Sequence, residues 1–296
     1  MLWIALTIAW IVHRHPICLG GARRRRAAFD AQLAEAPEHS PEQAERLEHG
    51  LRRSDRILIA AEAAVLVAFV TAVALGLRIP REWYLLTDTA TYLACALALC
   101  SLASALARVA LAARSSWTLT APGESTAAAA RIRHTTLADY SSAFDRRGAI
   151  TVAAVQLALF LIAALFVSPY SENPLPALVT GAFAALVCGA ILIAQLAGRA
   201  LVRRSVRAST AFEIFTADRA RVDAVTAAFR SVFAIGLITC AFTALALSGT
   251  VHEALFAPAF LAVSILLIAF ALGSPLWGDT RETMRALWRE REASAC

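Results

Sequence analysis

The chain has 296 residues, of which 59% are hydrophobic and 17% are charged, with a mean hydropathy of +0.62 and a formal charge of +6. An ordinary globular domain carries about 25% charged residues, so this composition excludes a soluble globular protein and predicts an integral membrane protein. All 28 basic residues are arginine. Because retinal binds through a lysine amine, the absence of lysine excludes a rhodopsin. The positive charge requires no nucleic-acid partner, since arginines beside anionic lipid account for it.

The first predicted membrane segment is short. Residues 1–12 form an apolar run that ends before Arg14, whereas a spanning helix needs about 20 residues. The arginines of 23–26 follow this run instead of preceding it, which argues against a signal peptide. We therefore expect 1–22 to form an N-terminal membrane anchor and 23–56 to form a cytoplasmic helical segment. The alternative is a chain whose true start lies further upstream.

Six further segments are long and apolar enough to cross a bilayer. The clearest extends between Arg56 and Arg78 and corresponds to about 31 Å of helix. The six segments lie at about 57–77, 86–110, 149–167, 175–197, 231–247 and 254–272. Together with the anchor they predict an all-α membrane bundle of about seven transmembrane helices, one anchor followed by three helical hairpins.

The arginines are distributed unequally between the two sides of the predicted bundle. Alternating spans place 24 of the 28 arginines on one side. Because basic loops are retained in the cytoplasm, the N-terminus is expected outside and the C-terminus inside a bacterial plasma membrane. The six-helix bundle then covers 57–275, with cytoplasmic loops 114–148 and 198–230 and a cytoplasmic tail at 276–296.

The cytoplasmic segments also have helical patterns. Ser40 precedes Pro41, which is typical of a helix N-terminus, and 42–55 alternates acids with arginines as a solvated helix does. Segments 125–133 and 208–230 are also predicted to be helical. We expect these helices to extend or connect the spans and not to form an independent domain.

Polar side chains inside the spans are the first functional candidates, because an ionisable group at the centre of a bilayer costs about 2.5–3.5 kcal/mol or more. Glu62 lies about 9 Å past Arg56 along its helix, and Arg108 lies near the same end of the adjoining span. These two residues are therefore predicted partners. The full predicted polar layer comprises Glu62, Arg108, Gln156 and Gln195. Both a structural clasp between helices and a proton or substrate relay fit this layer.

Two further residue groups lie at predicted span ends and helix contacts. Asp88, His252 and Glu253 lie at the outer rim, where interfacial solvation, helix capping or an outer gate are the alternatives. Small residues recur every four positions in the fifth span and predict close packing against another helix, at Gly181, Ala185 and Gly189.

Signatures of enzymes, nucleotide binding and metal binding are absent from the sequence. The motifs HExxH, GxSxG, GxxxxGK[ST] and GxGxxG do not occur. The six cysteines show no CxxC spacing, and Glu45 and His49 are four residues apart, not the three of a di-iron helix motif. We therefore expect no catalytic residue, metal or cofactor, and an enzyme is the least favoured class.

The sequence favours a permease or the membrane subunit of a transport system. The alternative is a non-transporting scaffold or assembly subunit whose cytoplasmic helices dock a soluble partner. In topology alone, the last six predicted spans resemble the membrane domain of exporter-type ABC transporters, and that resemblance implies a separately encoded ATPase as cytoplasmic partner. The lipid bilayer is the partner common to all these alternatives, and an oligomer is compatible with each.

Overall fold

A computed structural model describes residues 2–14, 22–76, 88–118, 136–167, 175–203, 210–251 and 280–295. These residues are 93% helical and include no strand, which confirms the predicted all-α class. The helices in chain order are α1 (Leu2–Arg14), α2 (Ala22–Ala34), α3 (Pro41–Ala74), α4 (Asp88–Thr118), α5 (Ala143–Ile162), α6 (Leu175–Arg203), α7 (Ala211–Val251) and α8 (Thr280–Ala295). A 3-10 turn, Leu137–Tyr140, precedes α5, and a π-helical turn, Ala163–Val167, follows it.

Five helices are long and apolar enough to cross a membrane, as expected of a multi-pass membrane protein. They contain the segments Pro41–Ala74, Cys95–Arg114, Ala143–Leu165, Thr180–Arg203 and Ala211–Ala241. Helix α1 has 13 residues, about 20 Å of helix, which is shorter than the hydrocarbon core of about 30 Å. The predicted last span at 254–272 lies outside the described residues. Five of the seven predicted spans therefore have a helical counterpart of sufficient length.

Two of the spans continue directly into charged helix, as the sequence predicts. Helix α3 begins with a capping box: the Ser40 hydroxyl accepts a hydrogen bond from the Gln43 backbone, and the Gln43 side chain accepts one from the Ser40 backbone. The helix then runs unbroken for 34 residues. Helix α7 runs for 41 residues from Ala211, and the Thr210 hydroxyl accepts from the Glu213 backbone at its start. The predicted segment 125–133 lies outside the described residues.

Helix α7 is the centre of the bundle and packs against α4, α5, α6 and α8. Its buried face contributes Val222, Val225, Phe229 and Ile235 to the main core. A smaller core joins α1 to the α3–α4 hairpin and includes Ile11, Leu66, Tyr92, Ala96 and Cys100. Side chains in this second core attach the hairpin and α1 to each other, while α4 also contacts α7.

The closest helix crossings are at two glycines. A Cβ atom on Gly236 of α7 would collide with Val152 of α5 and lie 3.4 Å from Cγ1 of Val187 of α6. A Cβ atom on Gly198 of α6 would lie 2.6 Å from Cδ1 of Leu137. Glycine at these positions lets three helices and the 3-10 turn approach one another closely.

The predicted small-residue stripe of α6 has a different environment from the one expected. A Cβ atom on Gly181 would lie 3.0 Å from the Phe160 ring, but Ala185 is exposed and a Cβ atom on Gly189 would meet no atom within 4 Å. A spacing of four residues rotates by about 40° per step around an α-helix, so the stripe turns away from the buried face. That face is formed by Ala184, Val187, Ala194 and Leu201.

The directions of the helices gather many arginines at one end of the bundle. Helix α5 runs parallel to α7, because Asp145 and Val152 lie beside Arg230 and Cys240. Helices α4 and α6 run antiparallel to α7. We call the shared end the arginine-rich end; it is marked by Arg56, Arg114, Arg146, Arg203 and Arg230.

Candidate functional site

A cavity of about 660 Å³ lies at the arginine-rich end, between the first turns of α5, the last turns of α6 and the middle of α7. Two arginines of its lining come from α5, Arg146 and Arg147, and two come from α6, Arg199 and Arg203. Gln195 lines the cavity one helical turn before Arg199. The cavity is therefore positively charged and carries one neutral amide.

Among the described residues, no acidic side chain lines this cavity. Asp145, adjacent to Arg146 in sequence, is bonded elsewhere: Arg230 Nε donates to its Oδ1 across 3.0 Å, and the Ser142 hydroxyl donates to its Oδ2 across 2.7 Å. Asp139 accepts from the Thr136 backbone across 2.7 Å. In the part of the chain that the structure describes, Arg146 Nε is buried and has no hydrogen-bond partner. The carboxylates of the described residues thus do not balance the positive charge of the cavity.

A buried polar network fastens the 3-10 turn beside the cavity onto α7. Tyr140 Oη donates to Asp218 Oδ1 across 2.8 Å, and Arg221 Nη1 lies 3.9 Å from the same oxygen. All three side chains are almost completely buried. Because Leu137 of the same turn lines the cavity, this network positions one of its walls.

A second network joins Glu35, the residue after α2, and helix α8 to α7 at the same end. Arg219 of α7 lies 3.9 Å from Glu35 and 3.6 Å from Asp223, and Arg285 of α8 lies 3.0 Å from Glu35. Met284 of α8 is buried in the main core. These contacts make the arginine-rich end a packed layer of helices that continues the spans.

Polar side chains are buried inside the bundle at two levels. The first group, which we call the near polar cluster, comprises Glu62, Ser101, Ser104 and Ser231. Ser231 Oγ donates to the Ser101 carbonyl across 3.1 Å, and Cys100 Sγ donates to the Glu62 carbonyl across 3.7 Å. These bonds place α3, α4 and α7 at a common level.

The second group, the far polar cluster, comprises Gln156, Thr180 and Thr243. Gln156 Nε2 donates to Thr243 Oγ1 across 3.1 Å. Thr180 precedes Val187 by seven residues on α6, which runs antiparallel to α7, and this brings it to the level of Thr243. Thr243 lies twelve residues beyond Ser231, so the two clusters are separated by about 18 Å along α7.

Gln156 is fully buried, yet only the nitrogen of its side-chain amide forms a hydrogen bond. Its Oε1 has no hydrogen-bond partner among the described residues. A buried acceptor left unbonded costs about 1–3 kcal/mol, and such groups in native proteins generally have a specific reason. Ser104 Oγ of the near polar cluster is likewise buried without a partner in the described ranges.

The four residues of the predicted polar layer lie in three different places. Glu62 belongs to the near polar cluster, Gln156 to the far polar cluster, and Gln195 to the cavity. The predicted span begins at about residue 149, whereas α5 begins at Ala143. Measured from Asp145, Gln156 lies eleven residues, or about 16 Å, along the helix.

Arg108 lies eight residues beyond Cys100 on α4, about 12 Å nearer the arginine-rich end. Its Nε is buried without a hydrogen-bond partner in the described part of the chain. The ion pairs described there do not include one between Glu62 and Arg108. Their predicted energetic coupling stays a prediction, which a double-mutant cycle can test.

The predicted outer rim falls largely outside the structure. Asp88 is the first residue of α4, whereas His252 and Glu253 lie outside the described residues. Over the described ranges, no group of three or more His, Cys, Asp or Glu residues is arranged to hold a metal ion.

No protein-family model, curated protein or solved structure matches this chain. A functional assignment therefore rests on the chemistry of the bundle itself.

Sequence reasoning missed the cavity, although part of its signal is visible in the sequence. Arg146 and Arg147 are adjacent, and Arg199 and Arg203 are four residues apart and therefore on one face of a helix. In the sequence these arginines were used only to predict which side of the membrane each loop lies on. The contact between Tyr140 and Asp218 joins residues 78 positions apart and has no local signal.

Proposed function

We propose that the chain is a permease or the membrane subunit of a transport system in a bacterial plasma membrane, with its arginine-rich end in the cytoplasm. The observation that carries this proposal is the half-bonded amide of Gln156, buried among helices whose outer faces are apolar. Polar groups in membrane interiors are costly and commonly mark the path of a substrate or ion. The orientation follows from the retention of arginine-rich segments in the cytoplasm.

The polar elements lie at two levels of α7. The near polar cluster at Ser231 lies close to the level of Phe229 in the cavity lining, and the far polar cluster lies about 18 Å further on. If the amide served helix packing alone, we would expect both its oxygen and its nitrogen to form hydrogen bonds with neighbouring helices. Gln156 Oε1 and Ser104 Oγ, which have no hydrogen-bond partner among the described residues, instead provide binding groups for a passing solute or for water.

Flux through proteoliposomes tests this proposal. Vesicles containing the purified protein are loaded with a mixture of small phosphorylated and carboxylated solutes, and the released solutes are identified by mass spectrometry. We expect at least one solute to leave faster than from protein-free vesicles, and Gln156→Leu to abolish that release. Leu157→Ala, which changes an exposed neighbour on the same helix, is the matched control and should leave release unchanged.

A scaffold is the second candidate, and one observation favours it. The 41–56 part of α3 extends about 24 Å beyond Arg56 and carries exposed charges paired along the helix, Arg46 with Glu42 and Arg52 with Glu48. Such a charged helix face suits a soluble partner. If thermal unfolding shows that the protein is folded and its vesicles still release none of the solutes, the result would favour the scaffold and contradict the permease.

A further inference from the structure

We infer that the cavity at the arginine-rich end is a binding site for a phosphate group carried on an organic body. Arg146, Arg147, Arg199 and Arg203 all line it, Arg146 half-buried and the other three exposed. A guanidinium presents two parallel N–H donors that match two oxygens of a phosphate, which makes arginine the usual residue for this ligand. Two adjacent helices supply two such groups each, so a phosphate in the cavity can be held from two sides.

The contrast with neighbouring arginines indicates that these four are reserved for a ligand. Arg219, Arg221, Arg230 and Arg285 lie at the same end of the bundle, and each has a carboxylate within 4 Å. None of the ion pairs in the described ranges involves a cavity arginine. Four like charges around one cavity repel one another, and an anion is the ligand that removes this repulsion.

The nearest acid in sequence cannot balance the cavity. Asp145 precedes Arg146, but its two oxygens accept from Arg230 and Ser142. The Asp145 side chain is only 1% exposed, so it is held on the α7 side of the helix. The fold thus directs this acid away from the cavity, and the described ranges contain no ion pair of Arg146 or Arg147 with a carboxylate.

The size and lining of the cavity require more than an inorganic ion. Its volume of about 660 Å³ falls in the range of about 300–1,000 Å³ that is typical of pockets for organic ligands. Val202 and Phe229 provide buried apolar surface, and Ile150 is 52% exposed at the bundle's outer face. A phosphate can therefore bind the arginines while the organic body contacts these side chains.

Two sources supply this chemistry: a soluble phosphorylated metabolite, or the headgroup of an anionic phospholipid, for which basic pockets between membrane helices are known sites. The inference goes beyond the proposed transport function and does not depend on it. Binding is measured without flux, so a failure of either proposal leaves the other testable.

The test uses the full chain in nanodiscs of phosphatidylcholine at low ionic strength, with glycerol 3-phosphate as the soluble probe and phosphatidylglycerol as the lipid probe. Affinity for the soluble probe is measured by calorimetry, and retained lipid by native mass spectrometry. The cavity variant is Arg146→Gln with Arg199→Gln. The matched control is Arg53→Gln with Arg56→Gln, which removes the same charge from exposed arginines of α3.

We expect the cavity variant to bind at least about tenfold more weakly than the wild type, because it loses two charged hydrogen-bond donors to the phosphate, and the control to bind normally. Loss of glycerol 3-phosphate binding identifies a soluble ligand. Loss of phosphatidylglycerol retention, with no binding of glycerol 3-phosphate to any form, identifies a lipid headgroup. A wild type that binds neither probe, or equal losses in the cavity variant and the control, overturns the inference. Arg147→Gln with Arg203→Gln replaces the first variant if that one fails to fold.

Discussion

Arg230 donates from its Nε to Asp145 Oδ1 across 3.0 Å, and this bond sets the register between α7 and the first turn of α5. The same register continues along both helices, where Cys240 meets Val152 and Thr243 meets Gln156. The paired residues are separated by 85, 88 and 87 positions, as expected of two parallel helices. The alignment that brings Gln156 to Thr243 in the far polar cluster is therefore the one fixed by the Arg230–Asp145 contact.

Asp145→Asn should destabilise the protein by about 1–3 kcal/mol, because it removes the charge that pairs with Arg230 and weakens a buried bond. Arg230 is 31% exposed, so solvent reduces the effect. Thermal unfolding in detergent measures the change, and Glu45→Gln, an exposed acid on α3, is the control. Equal stability of Asp145→Asn and Glu45→Gln would contradict the role of this bond.

Gly236→Leu should prevent accumulation of folded protein, whereas Gly189→Leu should be tolerated. A Cβ atom at residue 236 would collide with Val152 and already contact Val187, while a Cβ atom at residue 189 meets no atom within 4 Å. Overpacking typically costs about 1–3 kcal/mol and occasionally more. Yield and unfolding temperature of the purified variants measure the difference. The reverse result, with Gly189→Leu the more damaging, would support the packing stripe predicted from sequence and contradict the crossing described here.

Tyr140→Phe should destabilise the protein by about 1–3 kcal/mol, because it leaves the buried Asp218 carboxylate without its hydroxyl donor. In a double-mutant cycle with Asp218→Asn, the combined change should cost less than the sum of the single changes. Thermal unfolding measures all three variants. Strict additivity would mean that this hydrogen bond does not hold the 3-10 turn on α7.

The sequence was sufficient for the helical class and for five of the spans, because long apolar runs and the capping residues at Ser40 are local signals. Helix directions also follow from it, since alternating spans place most arginines at one end. The apolar signal does not mark where a helix leaves the membrane, however. Helix α5, for example, begins at Ala143, six residues before the span predicted from the apolar run.

The site itself could not be predicted because it depends on which faces of neighbouring helices meet. Gly236 has no glycine or alanine four positions away that would mark a packing stripe, yet it lies at the crossing of three helices. The cavity needs the first turn of α5 beside the last turns of α6, a relationship between residues about 50 positions apart. Neither feature leaves a periodic pattern in the sequence.

The proposed orientation predicts opposite labelling at the two ends of α3. In a variant whose six native cysteines are replaced by alanine, Arg53→Cys should react with a membrane-impermeant maleimide only from the cytoplasmic side. Leu75→Cys, which is exposed at the other end of the helix, should react only from outside. Inside-out and right-side-out vesicles provide the two sides. Labelling of both positions from the same side would show that α3 does not cross the bilayer.

Access of water to Gln156 tests the central claim most directly, because a transport path must admit a polar molecule to this depth, whereas a helix-packing contact excludes it. In the same cysteine-free background, Gln156→Cys is treated with a small charged methanethiosulfonate, and Leu157→Cys, the exposed neighbour on the apolar outer face, serves as control. We predict rapid modification of Gln156→Cys and no modification of Leu157→Cys. A thermal unfolding measurement verifies that both variants are folded. A folded Gln156→Cys protein that is as unreactive as the Leu157→Cys control would contradict the proposed path.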